Sequence, residues 1–184
     1  MANEQGIIMK EELDKALCEK YPLIFRDRNA PMTETAMCWG ICTGDGWYNI
    51  LDTLCGLLTS DYRQAKSRYE HKKEVFESGE PPPWSKKFYT AEEVEESRLL
   101  MEEEAAKVPV ASQVKEKFGG LRFYVNGATE KHWSYITFAE SMSYKTCEVC
   151  GSPGERYTDG WHTTLCDVHA KEQGREKSQE EDDE

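Results

Sequence analysis

Four residues near the carboxyl end of the 184-residue chain constrain its fold more than any other feature. Cys147 and Cys150 are separated by two residues, and Cys166 and His169 by two more, within TCEVCGSPGERYTDGWHTTLCDVHA. A two-residue gap lets one tight turn aim two side chains at the same ion, and zinc takes four such sulfur or nitrogen donors in a tetrahedron. Cys147, Cys150, Cys166 and His169 therefore read as a complete ligand set for Zn2+. The fifteen residues between the pairs hold Gly151, Pro153, Gly154, Tyr157 and an Asp159-Gly160 turn before Trp161, the pattern of a knuckle followed by a short hairpin. Cys166 and His169, three apart, share a face of a helix's first turn. Knuckle, hairpin and helix together make a treble-clef-like finger. His162 competes as a ligand, but its neighbours Trp161 and Thr163-Thr164 read as hairpin strand.

Four protein ligands leave no open position for water or substrate, so the zinc is expected to hold a fold and perform no chemistry. A segment of about twenty-five residues cannot bury enough apolar surface to fold alone, and structural zinc supplies on the order of 10 kcal/mol to isolated fingers. The chain has seven cysteines, an odd number that suits metal ligands and buried thiols better than a disulfide framework. Cys18, Cys38, Cys42 and Cys55 are candidates for a second metal site, a weaker reading because C-x3-C lacks the knuckle spacing.

Charge and hydropathy narrow the partners. The net charge of -12, from 35 acidic against 23 basic residues, argues against broad binding to nucleic-acid phosphates. No apolar run approaches the roughly eighteen residues that span a bilayer, and MANEQGIIMKEELDK has no signal-peptide apolar region. The expectation is a cytoplasmic protein without a membrane partner.

Hydrophobic periodicity divides the chain into five regions, beginning with a helical and aromatic-loop region over 1–60. There Leu13, Ala16 and Leu17 share a face of a helix over Glu11 to Lys20, stopped by Tyr21-Pro22. The irregular stretch from Tyr21 to Trp47 is long enough to suggest a functional loop. Asp45 is expected to cap a core helix carrying Trp47, Ile50, Leu51, Leu54, Leu57 and Leu58. Region 61–109 reads as a charged helical hairpin, its first arm seamed by Tyr62, Tyr69 and Phe76, its corner at Pro81-Pro82-Pro83. A Thr90/Glu93 capping box starts its second arm over Ala91 to Lys107. Region 110–145 combines a helix bearing Val110, Val114 and Phe118, broken by Gly119-Gly120, with a strand over Leu121 to Val125. A further helix over Lys131 to Ser143, carrying Trp133, Ile136, Phe138 and Met142, delivers the chain to the knuckle. The finger occupies 146–173, and an acidic, disordered tail 174–184. The fold class is α+β: a mostly helical small domain with a short β element and the finger.

Candidate contact residues fall in three places. Lys115, Lys117 and Arg122 lie beside Phe118, Phe123 and Tyr124, the ingredients of base stacking on an electropositive strand. Asp45 and Trp47 flank a helix start where anions bind, although Asp45 would itself occupy those donors. Glu95, Glu96, Glu102 and Glu103 form an acidic face on the second arm. There is no phosphate loop, nucleophile elbow or HExxH motif, so no catalytic residue is assigned.

The blocks YPLIF, CWGICTGDGW, VKEKFGGLRFY, and AESMSYKTCEVCGSPGERY followed by GWHTTLCDVHA cover about half the chain. In these blocks the chain resembles a family of small proteins encoded by phages, prophages and bacteria, whose members look like zinc-containing accessory proteins. The resemblance implies a phage-like origin and carries no catalytic residues over. Residues 61–109 depart from it, being longer and more charged. The expected function is a zinc-stabilised binding protein engaging a host or defence protein through an acidic surface. A nucleotide or single-stranded nucleic-acid binder using KFGGLRFY is the alternative, and a metal-dependent HNH-like nuclease with His162 as general base a second.

Overall fold

The computed structural model describes residues 8–175. The acidic tail expected over 174–184 therefore lies outside the described residues from 176 onward. Arg175 still belongs to the finger, donating from Nη1 to the Asp159 carbonyl at 2.7 Å and from Nη2 to the Trp161 carbonyl at 2.8 Å.

The α+β class is as expected. The helices are α1 (Glu11–Lys20), α2 (Tyr48–Leu58), α3 (Ser60–Ser78), α4 (Ala91–Lys107), α5 (Glu130–Ser143) and α6 (Asp167–Glu172). The strands are β1 (Ile41–Cys42), β2 (Val110–Lys117), β3 (Gly120–Asn126), β4 (Glu155–Tyr157) and β5 (Thr163–Leu165). One sheet has the order β1-β2-β3, with β1 parallel and β3 antiparallel to β2; β4 and β5 form a separate hairpin.

The leucine stripe of α2 builds the core, as its periodicity predicts. Leu51, Leu54 and Leu58 are buried with Trp47, Ile41, Val114, Leu121, Phe123 and Ile136. Burying each such leucine contributes about 1.5–3 kcal/mol. The stretch from Tyr21 to Trp47 contributes to the core: Tyr21, Ile24, Phe25, Met37, Ile41 and Trp47 are all buried, and the chain enters the sheet through β1, while Met32 and Trp39 are exposed. Asp14 on α1 ties it down, accepting from Arg28 Nη2 at 2.9 Å and from the Cys18 thiol at 3.3 Å. That contact and burial push the Cys18 thiol up to about 12, burial being the larger cause.

Residues 110–117 form a strand where the fourfold spacing of Val110, Val114 and Phe118 predicts a helix. Spacing by four suits a strand's period of two as well as a helix's, and a register shift lies between Ala111 and Gln113. The bulge resets the alternation, so the buried residues Ala111 and Val114 are three apart and mimic a helical period. The free edge of β3 is covered by α5, whose Ser143 hydroxyl accepts from Leu121 N at 2.8 Å and whose Glu140 carboxylate accepts from Phe123 N at 3.0 Å. An edge closed this way cannot recruit another strand.

The helix expected over Lys131 to Ser143 is α5. His132, Ile136, Ala139 and Ser143 face inward, while Trp133, Phe138 and Met142 are exposed. The i, i+4, i+7 spacing of the inward residues carries the packing. His132 closes a capping box, its Nδ1 accepting from Thr129 N at 3.2 Å. That bond needs a neutral ring, and burial together with Lys131 holds the His132 pKa below the ordinary 6.5. A depressed histidine binds protons more readily unfolded, so its contribution is present above 6.5 and lost as pH falls through and below that value. Thermal melts at pH 8 and pH 5.5 should therefore show the gap between wild type and His132→Gln narrowing at the lower pH.

The helical hairpin of α3 and α4 is present, with the Thr90/Glu93 capping box formed. Gly79 ends α3 in the left-handed region at φ 66, before the prolines. The seam is not aromatic, because Ala65, Val75 and Ser97 are the buried residues of the arm, while Tyr62 and Tyr69 are half-buried and Phe76 is exposed. Small residues let the two helices approach closely. Replacing the Thr90 cap by Ala should cost about 1 kcal/mol, read from urea denaturation.

Candidate metal centre

The knuckle forms because Cys147 N donates to the Ser152 carbonyl at 2.8 Å and Gly151 N returns to the Cys147 carbonyl at 2.8 Å. Gly151 takes φ 78, which a side chain would resist. The hairpin β4–β5 carries the chain to Cys166, the residue that precedes α6, and His169 lies in that helix's first turn. Knuckle, hairpin and helix thus occur in the expected order.

One donor atom from each of Cys147, Cys150, Cys166 and His169 lies within 4.8 Å of the others. Sγ of Cys150 and Cys166 are 3.8 Å apart, and His169 Nδ1 is 3.5 Å from Cys147 Sγ and 3.2 Å from Cys166 Sγ. A tetrahedron with Zn–S of about 2.3 Å and Zn–N of about 2.0–2.1 Å has S···S edges of about 3.8 Å and S···N edges of about 3.5 Å. The residues fit such an ion. Local donors favour the thiolates a metal needs: the Ser152 side chain and backbone N–H bring Cys150 down to about 6, and the His169 backbone N–H lowers Cys166. Burial acts oppositely on Cys147. Among the described residues, this is the one group of histidine, cysteine and carboxylate side chains close enough to hold a metal ion. Cys18, Cys38 and Cys42 instead donate to nearby oxygens, and Cys55 is buried in the core.

His162 lies outside the donor group. Its Nδ1 is 2.9 Å from Arg156 Nη2, and its ring meets Phe118 edge to face at 6.0 Å.

The finger is clamped to the rest of the fold by the other motif blocks. Gly46 N donates to the Glu148 carbonyl at 2.8 Å, Gly44 N to the Glu148 carboxylate at 3.0 Å, and the Trp47 indole N–H to the Thr146 carbonyl at 2.8 Å. The TGDGW turn is therefore seated on the knuckle backbone. Its glycines permit the approach: a Cβ at Gly46 would collide with the Cys147 and Glu148 carbonyl oxygens and the Gly151 nitrogen. Glu148 is buried in this joint, and desolvation pushes its carboxyl up to about 7 against the pull of the Gly44 N–H. On the other side, the Thr164 hydroxyl donates to the Gly119 carbonyl at 2.5 Å and Arg122 Nη2 to the Tyr144 hydroxyl at 2.7 Å.

The remaining sequence candidates are placed as follows. Trp47 is fully buried, so it is a clamp residue with no surface to offer a ligand. Asp45 does not cap α2; its carboxylate accepts from Lys10 N at 2.8 Å and pairs with Lys10 Nζ at 2.8 Å, tying α1 to the turn. Glu95 and Glu102 flank Arg98 in ion pairs, and Glu103 pairs with Lys107, so the acidic face of α4 is partly neutralised from within; Glu96 is exposed. Lys115, Lys117, Arg122 and Tyr124 lie together on the β2–β3 hairpin, where Lys115 pairs with Arg122 in register and stands over the Tyr124 ring at 5.7 Å. The sequence reading missed Glu148 and Arg156. Only the glycine pattern GDG hinted that a backbone approaches there.

Among the described residues, no helix is long and apolar enough to cross a membrane. Compared with protein-family models, curated proteins and solved structures, the chain matches none.

Proposed function

We propose that the chain is a zinc-stapled binding protein of the phage type, with Zn2+ held by Cys147, Cys150, Cys166 and His169 and the helical arm α3–α4 engaging a protein partner. The observation that carries this reading is the far end of the arm. Trp84 is 82% exposed, with Phe76 and Phe88 also exposed, while the core is well filled. Exposed aromatics grouped with charged neighbours mark protein-interaction sites. The acidic residues Glu92 and Glu96 on α4 would complement a basic surface, raising the association rate at low salt. The closed donor set supports a structural role for the metal. The phage-type reading, with a host or defence factor as the partner, is supported by the motif blocks alone.

Affinity capture with the zinc-loaded chain tests it. A partner is expected that elutes with salt and is lost on Trp84→Ala or on Glu92→Lys with Glu96→Lys. Capture unaffected by these changes, or magnesium-stimulated nuclease activity abolished by His162→Ala, would sink the reading.

A further inference from the structure

The two hairpin tips of the molecule lie side by side, and a continuous ladder of cations and aromatic rings runs across them. Lys115 stands over Tyr124 at 5.7 Å and is registered opposite Arg122. Arg122 donates to the Tyr144 hydroxyl and lies 5.8 Å from its ring centre, while Arg156 lies 5.2 Å from the same ring. Arg156 meets His162, His162 meets Phe118, and Lys117 stands over Phe118 at 5.3 Å. Trp161, next in the chain to His162, is 75% exposed.

Two observations say that this ladder does more than hold the fold. Among the described residues, none of Lys115, Lys117, Arg122 and Arg156 forms an ion pair, although acidic residues outnumber basic ones 35 to 23. On the helical arm Lys66, Lys73, Arg98 and Lys107 are ion-paired while Arg63, Arg68 and Lys86 are not, so what marks the ladder is the alternation of its unpaired cations with aromatic rings. Glu116 on β2 and Glu140 on α5 are engaged by the Gly119 and Phe123 backbone amides, and Glu155 on β4 is engaged as well. The second observation is Phe118, 58% exposed and at φ 55, the one non-glycine residue with positive φ among those described. It sits with Gly119 in a two-residue hairpin loop between Lys117 and Gly120, where Asn or Gly would relieve the backbone. A bulky ring there carries backbone strain, and such outliers gather at functional positions.

We propose that this face binds single-stranded nucleic acid, with phosphates on Lys115, Lys117, Arg122 and Arg156 and bases stacked on Phe118 and Trp161. Unpaired cations alternating with open ring faces match a chain of alternating phosphates and unstacked bases. A duplex hides its base faces and leaves these rings idle. The acidic remainder of the molecule limits contact to this face, which is why the total charge of -12 conceals it. The inference is separate from the arm reading and rests on the finger being held in place by its metal, since Arg156 and Trp161 belong to the finger.

Fluorescence anisotropy with labelled DNA and RNA 12-mers, single-stranded and duplex, decides the matter on the full zinc-loaded chain. Single strands should bind more tightly than duplex, with log affinity falling against log salt at a slope of about 3 for four phosphate contacts. Phe118→Asn should weaken binding at least about fivefold while leaving zinc content unchanged and the melting temperature equal or higher, because it relieves strain. Trp161→Ala should weaken binding to a similar degree. No binding of any strand at low salt would overturn the proposal. So would binding indifferent to Phe118→Asn and Trp161→Ala, or equal competition by polyglutamate, which would make the face an electrostatic dock for an acidic protein.

Discussion

Stripping the metal with a strong chelator should unfold far more than the finger, and the buried tryptophan reports it. Of the five tryptophans, Trp39, Trp84, Trp133 and Trp161 are exposed and Trp47 alone is buried. Its indole is held by the Thr146 carbonyl one residue before the first ligand. A structural zinc contributes on the order of 10 kcal/mol, as much as the whole stability of an ordinary domain at about 5–15 kcal/mol. Losing it should release the knuckle, then the TGDGW turn that rests on it, then Trp47 and the α2 stripe. The expected result is the loss of acrylamide-protected emission, together with a fall in helical ellipticity greater than the six-residue α6 alone can account for. Cys147→Ser should behave as chelation does. Protected emission that persists in excess chelator would show that the core stands without the metal.

Gly46→Ala should be the most damaging small substitution in the chain. Every atom the new methyl would meet belongs to backbone: the Cys147 and Glu148 carbonyls and the Gly151 amide. None can swing aside as a side chain does, and retreat of the turn breaks the Gly46–Glu148 hydrogen bond. The cost is expected at about 3 kcal/mol or above, the upper end for overpacking. Gly56→Ala is the control, in mid-helix with its nearest foreign atom at 3.4 Å, and should gain up to about 1 kcal/mol from helix propensity. Urea denaturation of both variants with zinc bound measures the difference. A Gly46→Ala loss under about 1 kcal/mol would contradict the clamp, since ordinary surface changes stay within that range.

The grouping of Cys147, Cys150, Cys166 and His169, the helices α1, α2 and α4, and the hairpin order of the finger were legible because each is specified within a few residues: paired spacings, a leucine stripe, a capping box. What was not legible is specified by distant partners. The β2 bulge makes sense only against β3, and the inward stripe of α5 only against α2 and β3, so no local period reveals either. Asp45 looked like a cap because it precedes a helix, yet its partner is Lys10, thirty-five residues away. The cation–aromatic ladder was half legible, since Lys115, Lys117, Arg122 and Tyr124 stood out in one segment. Arg156 and Trp161 join them only because the Thr164–Gly119 contact sets one hairpin beside the other.

Seating the TGDGW turn on the knuckle also fixes the order in which this chain matures on the ribosome. The 122 residues that follow Trp47, up to and including His169, take roughly 6–24 s to synthesise at 5–20 residues per second. Throughout that interval the amino-terminal half carries an open face with its largest core side chain unseated. The amino-terminal half can therefore close only after the knuckle that seats it has been made, so a late part of the chain completes an early one.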